Sequence, residues 1–172
     1  YDPYYTKSLI NESKIATFDA WIMADFKLNS IDDYIDFIKQ NKIKCVVVPR
    51  VEEITSYTVS KLASITNVKV TQDEDVCGVR INFIMDNKTI GGVLVNVNGT
   101  TLLFASGTTR AKLRVLDENV DKVDYLILNS CKHDLINEYN IKYDKLIYHN
   151  EINFNPINAT SLANTDYYEI KL

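Results

Sequence analysis

Histidine is scarce in this sequence, and the scarcity excludes the common metal-dependent hydrolase motifs. The 172 residues contain only His133 and His149, and neither belongs to an HxH, HxxxH or HExxH motif. A catalytic zinc site usually needs imidazole ligands at such spacings. The Walker loop, the GxGxxG fingerprint and the GxSxG elbow are missing as well, which excludes the usual signatures of nucleotide binding and serine hydrolysis. We therefore predict no bound metal and no cofactor.

Cysteines and long apolar runs are also limited. Cys45, Cys77 and Cys131 form no CxxC pair, so we predict buried free thiols rather than a zinc site or a disulfide framework. No apolar stretch approaches the ~20 residues that a membrane helix needs, and no signal peptide is recognisable. Five glycines and three prolines argue against long linkers.

The charge pattern disfavours nucleic-acid binding by this chain alone. The formal net charge is −4, and the nearest approach to a basic cluster is Arg110, Lys112 and Arg114. Nucleic-acid binders usually carry a clustered basic face, because phosphate neutralisation drives their affinity. We interpret these three residues as the solvated start of a helix.

Length and composition fit one globular domain. Domains commonly contain ~100–200 residues, and 46% hydrophobic with 24% charged residues is ordinary globular usage. We predict a single domain over residues 1–172. Because the chain begins at Tyr1 rather than Met, we expect it to be part of a longer protein.

Helical and strand patterns alternate in the first half. Ile31, Tyr34, Ile35 and Ile38 have the spacing of an amphipathic helix, which Ser30 would cap. The other elements predicted there are a helix at residues 6–16, a strand at 19–24, a strand at 44–48 that stops at Pro49, a helix at 52–65 and a strand at 68–71.

The second half begins with a predicted β-meander. Its strands are expected at residues 78–85, 92–97 and 101–105, and Asn98-Gly99 is a strong hairpin signal. Asp73-Glu74-Asp75 has ligands suited to calcium, but we favour an exposed turn. The later elements are predicted as a helix at 109–117, a strand at 124–128, a helix at 133–139, a strand at 145–149, an irregular Asn-rich segment and a final strand at 167–171. This order predicts an α/β fold with a mixed sheet covered by helices.

Small polar residues follow apolar strands at two junctions. The run Ser106-Gly107-Thr108-Thr109 presents either backbone N–H groups for an anion or a helix cap, and we favour the cap. Ser130 and Cys131 follow the next such strand, and Cys131 lies two residues before His133. If the protein is an enzyme, Ser106, Ser130, Cys131 and His133 are the catalytic candidates, and the reaction would be a metal-independent hydrolysis.

Residues 19–35, 92–108 and 123–132 together resemble three stretches of the metallo-β-lactamase-fold hydrolases. Residues 19–35, DAWIMADFKLNSIDDYI, resemble the strand, THxHxDH motif and helix of that family. Residues 92–108, GVLVNVNGTTLLFASGT, resemble its strand, turn and LLFTGD stretch. Residues 123–132, VDYLILNSCK, are similar to its vDvLkvpHHGS stretch. The spacing of the last two most resembles the carboxy-terminal domain of ComEC-type competence proteins, which are membrane proteins of DNA uptake.

The resemblance implies an αββα metallo-β-lactamase-like fold whose first strands would precede Tyr1. The positions that match the family's metal ligands hold other residues, namely Asp25, Lys27, Asn29, Ser30, Thr108, Ser130 and Cys131. A site for two cations needs several imidazoles and carboxylates. The resemblance therefore implies a catalytically inactive domain with a structural or interaction role.

The resemblance also implies a partner and a location. The partner would be the membrane part of a larger DNA-uptake protein, with this domain outside the cytoplasm. Two alternatives stay open. One is a cytoplasmic module that binds a small ligand or a partner and has no hydrolase ancestry. The other is a cysteine-dependent enzyme that uses Cys131.

Overall fold

The protein has a mixed α/β fold built from two sheets. The computed structural model describes residues 18–23, 31–51, 56–86, 89–105, 109–128, 140–149 and 159–162. Within these residues lie two sheets and three helices, and about half of them are in strands. The chain divides into two compact units, Tyr1–Thr71 and Gln72–Leu172. The predicted α/β class is confirmed, and the single domain stays a prediction. No helix in the described ranges is long and apolar enough to cross a membrane.

The first unit contains a three-stranded parallel sheet and two described helices. Its elements in chain order are β1 (Trp21–Ile22), α1 (Ile31–Gln40), β2 (Cys45–Pro49), α2 (Ser56–Ala63) and β3 (Asn67–Thr71). The strand order is β1-β2-β3. A helix follows each of the first two strands, because parallel neighbours need a crossover connection. Both crossovers advance in the same direction, so right-handed connections place α1 and α2 on one face of this sheet.

Helix α1 forms because its apolar residues recur on one face. Tyr34, Phe37 and Ile38 are buried. The ring of Trp21 meets Tyr34 and Phe37 edge-on, at centroid distances of 5.6 and 4.9 Å. Edge-on aromatic pairs stabilise a core beyond the area they bury. The predicted helix is confirmed.

Strand β2 lies between two parallel neighbours, and all five of its residues are buried. Val46 and Val48 belong to one cluster with Leu62 of α2. A strand covered on both faces has a continuous apolar run rather than an alternating one. Pro49 pairs with Thr71 and is the last residue of the strand, so the strand ends at Pro49, one residue beyond the predicted range of 44–48. A proline is tolerated at the last position, where the lost N–H does not interrupt the ladder.

The second unit contains a seven-stranded mixed sheet and one described helix. Its elements in chain order are β4 (Asp73–Val76), β5 (Val79–Met85), β6 (Ile90–Val97), β7 (Thr100–Ala105), α3 (Arg110–Asn119), β8 (Lys122–Leu128), β9 (Lys142–His149) and β10 (Ala159–Leu162). Spatial order follows chain order. Strands β4 to β7 pair antiparallel, and β7 to β10 pair parallel. The predicted meander, and the mixed sheet that contains it, are confirmed.

Two links of the meander are two-residue turns with left-handed backbone. Asn98 and Gly99 have φ of 52° and 87°, and Cys77 and Gly78 have φ of 54° and 80°. Positive φ at both central residues is the signature of a type I′ turn. The hairpin predicted at Asn98-Gly99 is confirmed. Cys45 is buried as predicted, whereas Cys77 is exposed in its turn, so the prediction of a buried thiol is wrong there.

The acidic run Asp73-Glu74-Asp75 forms strand β4 and not the exposed turn that the sequence predicts. Arg80 on β5 is the register partner of Asp75. Its guanidinium nitrogens lie 2.6 Å from the Asp73 carboxylate and 3.6 Å from that of Asp75. Alternate residues of a strand share a face, which brings both carboxylates to one arginine. These cross-strand ion pairs compensate for the low strand propensity of aspartate.

Helix α3 packs against β5 and β6 and shares one hydrophobic core cluster with the neighbouring parallel strands. Leu103, Leu126 and Leu146 are register neighbours on three strands, and none is more than 1% exposed. Val115 and Leu116 of α3 belong to the same core cluster. Burying each leucine contributes about 2 kcal/mol, so this row anchors the helix on the sheet.

Some predicted elements cannot be compared with the structure. The helices at residues 6–16 and 133–139 and the strand at 167–171 lie outside the described residues. The helix predicted at 52–65 is present over Ser56–Ala63. Strand β10 pairs parallel with β9 in a stretch where the sequence predicts irregular structure, so that prediction is wrong.

Candidate functional site at the strand ends

The carboxyl ends of the parallel strands of the second unit meet at one edge of the sheet. Ala105 ends β7 and pairs with Leu128, which ends β8. Leu128 pairs in turn with Tyr148, one residue before the end of β9. In the chain, Ser106 directly follows the first end, and Asn129-Ser130-Cys131 follow the second. Open α/β sheets bind ligands outside the carboxyl ends of their strands. This edge is therefore the candidate site.

The site residues that the sequence predicts in this unit are not themselves in the described ranges. They are Ser106, Thr108, Ser130, Cys131 and His133. The structure does show that the two segments holding them start from adjacent strands. Two stretches more than twenty residues apart in sequence thus begin at neighbouring positions.

A second group of predicted positions belongs to the first unit. Asp25, Lys27, Asn29 and Ser30 also fall in a stretch that the structure does not describe. They follow β1 and precede α1. The backbone N–H of Met23 donates to the carbonyl of Val47 at 2.9 Å, so pairing with β2 continues up to the start of that stretch. A parallel strand, a short connection and a helix follow one another here, as they do at β7.

Two adjacent glycines let strands and helix approach closely at the candidate edge. A Cβ on Gly92 would lie 2.5 Å from the carbonyl oxygen of Phe104. A Cβ on Gly91 would lie 3.1 Å from the carbonyl oxygen of Lys112. Because Gly92 pairs with Ala105, these contacts fix β6 and α3 beside the end of β7. Sequence reasoning missed this feature, although a Gly-Gly pair that opens an apolar strand is a signal of close backbone approach.

Helix α3 begins with an N-cap at the candidate edge. Thr109 has φ −108° and ψ 150°, and its side-chain oxygen accepts from the backbone N–H of Lys112 at 3.4 Å. Threonine is a favoured N-cap residue. The interpretation of residues 106–109 as a helix cap is confirmed at Thr109. Arg110 and Arg114 are exposed, as expected for a solvated helix start.

A half-buried carboxylate joins β7 to β8 near their amino ends, away from the candidate edge. The Asp124 Oδ2 accepts from the backbone N–H and from the hydroxyl of Thr101, both at 2.7 Å. The Asp124 N–H donates back to that hydroxyl oxygen at 3.0 Å. The Thr101 N–H first, and its hydroxyl second, hold the pKa of the Asp124 carboxyl below its ordinary value. The pair fixes the register of the two strands, and sequence reasoning missed it.

A shallow depression of about 430 Å³ runs along α3. It is lined by Arg110, Leu113, Arg114, Asp117, Glu118 and Asn140. Arg114 Nε lies 3.7 Å from Glu118 Oε1. Asn140 donates to the Asp117 carboxylate through both its backbone N–H and its side-chain amide, each at 3.2 Å. Acidic and basic groups are mixed here and partly paired, so the depression favours no ligand of one charge.

Two large apolar side chains are exposed among the residues that the structure describes. Tyr57 is 64% exposed, with the Lys61 ammonium 5.5 Å from its ring centroid. Phe104 is 40% exposed and lies next to the candidate edge, between its register partners Val93 and Ile127. Its side chain points to the face opposite α3, because Leu103 points toward the helix.

Clusters of metal-binding side chains are not found in the described ranges. No group of three or more His, Cys, Asp or Glu residues within those ranges could hold a metal ion. The carboxylates of Asp73 and Asp75, which the sequence suggested for calcium, instead lie against Arg80.

No protein-family model matches the chain, and no curated protein matches its sequence.

Proposed function

We propose that the chain is a catalytically inactive metallo-β-lactamase-like domain that serves a structural or interaction role. The observation that carries the proposal is the adjacency of the ends of β7 and β8. The resembled family places a bridging Asp after the first of these strands and two His after the second. This chain has Thr108, Ser130 and Cys131 at the matching positions.

The chemistry of the replaced residues supports the loss of hydrolysis. Two metal cations need several anionic or imidazole ligands to hold them and to activate a bridging water. The matching positions offer one carboxylate, Asp25, and one thiol, Cys131. The ammonium group of Lys27 would repel a cation. Neither His133 nor His149 falls at a matching position.

The arrangement of each unit is compatible with half of an αββα fold. Helices α1 and α2 cover one face of the first sheet. Val46 and Val48 of β2 and Leu62 of α2 belong to the core cluster at this contact. Helix α3 covers one face of the second sheet. The order of a meander, a helix and a parallel strand in the second unit is the order that the resemblance to ComEC-type proteins requires. We therefore extend the proposal to a domain of a DNA-uptake membrane protein.

The exposure of Phe104 supports an interaction role. An aromatic side chain left 40% exposed on a sheet, beside buried Val93, is available for contact with another surface. It lies one residue before the end of β7 and therefore close to the candidate edge.

Assays of hydrolysis with added metal test the inactive state. The purified chain would be incubated with excess zinc or manganese and with a chromogenic phosphodiester or β-lactam, beside a buffer blank and the variants Cys131→Ser and His133→Ala. We expect wild type and both variants to show no more turnover than buffer that contains the same metal and substrate. Metal-dependent turnover that a chelator removes would contradict the proposal. Metal-independent turnover that Cys131→Ser abolishes, and that Cys77→Ser leaves intact, would instead identify a cysteine-dependent enzyme.

A further inference from the structure

The hairpin between β6 and β7 holds the only Asn-Gly pair of the sequence, Asn98-Gly99. Both residues are exposed, and both have positive φ. A Cβ built on Gly99 would meet nothing within 4 Å, so the space on the side-chain side of Gly99 is open. When glycine follows an asparagine, no side chain of the following residue hinders attack of its backbone nitrogen on the asparagine carboxamide carbon.

This pair of groups can react without any enzyme. The Gly99 nitrogen loses its proton to a solvent base and forms a bond to Asn98 Cγ. The side-chain nitrogen leaves as ammonia, and a five-membered succinimide results. Water then opens the ring at either carbonyl and gives aspartate or isoaspartate at position 98. The only co-reactant is water, and no oxidation or reduction takes place.

The structure restrains the first step. The Gly99 N–H donates to the side-chain oxygen of Asn96 at 3.1 Å. Asn96 is half-buried on β6, and Val97 pairs with Thr100 directly below the turn. The proton that must be removed is thus shared with a neighbouring oxygen, and the paired strands hold the turn dihedrals fixed.

We propose that Asn98 is a deamidation site and that Asn96 restrains its reaction in the folded hairpin. The reaction is slow while the Gly99–Asn96 hydrogen bond is formed, and fast when the hairpin opens. In the isoaspartate product the Cβ of residue 98 becomes part of the main chain. The turn backbone is then one atom longer, and it no longer fits the two-residue type I′ turn. The modified chain also gains one negative charge at an exposed tip. Deamidation therefore marks molecules whose β6–β7 hairpin has opened.

Peptide mass spectrometry on aged protein tests the proposal. Wild type, Asn96→Ala and Asn96→Asp would be incubated in mildly alkaline buffer, and conversion at position 98 would be followed with isoaspartate-specific methyl labelling. We expect Asn96→Ala to react up to about tenfold faster than wild type, which corresponds to the loss of one net hydrogen bond. Asn96→Asp keeps an acceptor oxygen and should react at nearly the wild-type rate. Asn119, which is exposed and followed by valine, is an internal control that should stay unmodified.

Amide exchange at Gly99 shows whether each variant retains the hairpin. A folded Asn96→Ala protein that has lost protection at Gly99, yet deamidates at the wild-type rate, would overturn the proposal. If that variant does not fold, wild type alone decides. Folded wild type should react much more slowly than wild type in denaturant, and equal rates in the two states would overturn the proposal.

Discussion

Replacing Asp124 by asparagine is expected to destabilise the second unit and to reduce its sensitivity to acid. The Asp124 carboxylate accepts two hydrogen bonds of 2.7 Å from Thr101, and its N–H donates a third of 3.0 Å to the same residue. Hydrogen bonds to a charged group contribute about 1.5–3 kcal/mol and neutral ones about 0.5–1.5 kcal/mol. Since the pair is half-buried, we expect Asp124→Asn to lower the free energy of unfolding by about 1–2 kcal/mol. Thr101→Val removes the hydroxyl at nearly constant volume and should cost a similar amount.

The pH dependence has a definite sign. Because the bonds from Thr101 hold the folded-state pKa of Asp124 below its ordinary value of 3.8, the folded state favours the ionised carboxylate. The stabilisation is complete above the unfolded-state pKa and is lost as the pH falls through the folded-state pKa. Asp124→Asn should lack this acid-dependent loss, while Thr101→Val should show a smaller one than wild type.

Urea denaturation at several pH values measures both effects. Unfolding is detected by far-UV circular dichroism and by amide exchange in β7 and β8. The single tryptophan, Trp21, belongs to the first unit, so its fluorescence reports that unit separately. In a double-mutant cycle the two substitutions should be coupled by about 0.5–1.5 kcal/mol, because they remove the same contact. An Asp124→Asn protein with wild-type stability and a wild-type acid profile would refute the reasoning, as would additive effects of the two substitutions.

Two further predictions concern glycine and cysteine positions. Gly92→Ala should lower the free energy of unfolding by about 2–3 kcal/mol, because its Cβ would lie 2.5 Å from the Phe104 carbonyl oxygen. A Cβ on Gly99 would lie in open space, so Gly99→Ala should lower it by only about 1 kcal/mol, because alanine disfavours the positive φ there. Equal urea midpoints for the two variants would contradict this steric explanation. Cys77 should react with a maleimide in the native protein, and Cys45 only after denaturation, since the first thiol is exposed and the second buried. Peptide mass spectrometry identifies the labelled residue. Labelling of Cys45 in the native protein at the same rate as Cys77 would contradict the burial of the Cys45 thiol on β2.

Local sequence signals predicted the elements whose formation depends on local chemistry. The spacing of Tyr34 and Ile38 determined α1, because a helix buries residues three and four apart on one side. Asn98-Gly99 determined its turn, because few other residues adopt positive φ at low cost. Strand β4 was missed because its acidic residues favour a turn until Arg80, on a different strand, supplies the opposite charge. The pattern of one segment contains no information about a partner that only the folded register brings near.

The candidate site was predicted only in outline. The sequence indicated that small polar residues follow apolar strands, but it could not show that the ends of β7 and β8 are neighbours, since strand pairing is a non-local property. The Gly92–Phe104 approach and the Asp124–Thr101 contact were missed for the same reason. The match of Thr108, Ser130 and Cys131 to metal-ligand positions comes from the sequence resemblance alone, and residues 106–108 and 129–131 lie outside the described ranges.

The metal content of the purified protein tests the proposed inactive domain most directly. The chain would be expressed without a histidine tag, dialysed against metal-free buffer and analysed for zinc, manganese and iron by elemental mass spectrometry, with Cys77→Ser as a control for adventitious zinc on an exposed thiol. We predict far less than one metal ion per chain in both proteins. Two tightly bound ions per chain that survive dialysis, in wild type and in Cys77→Ser alike, would contradict the proposal that the metal site has been lost.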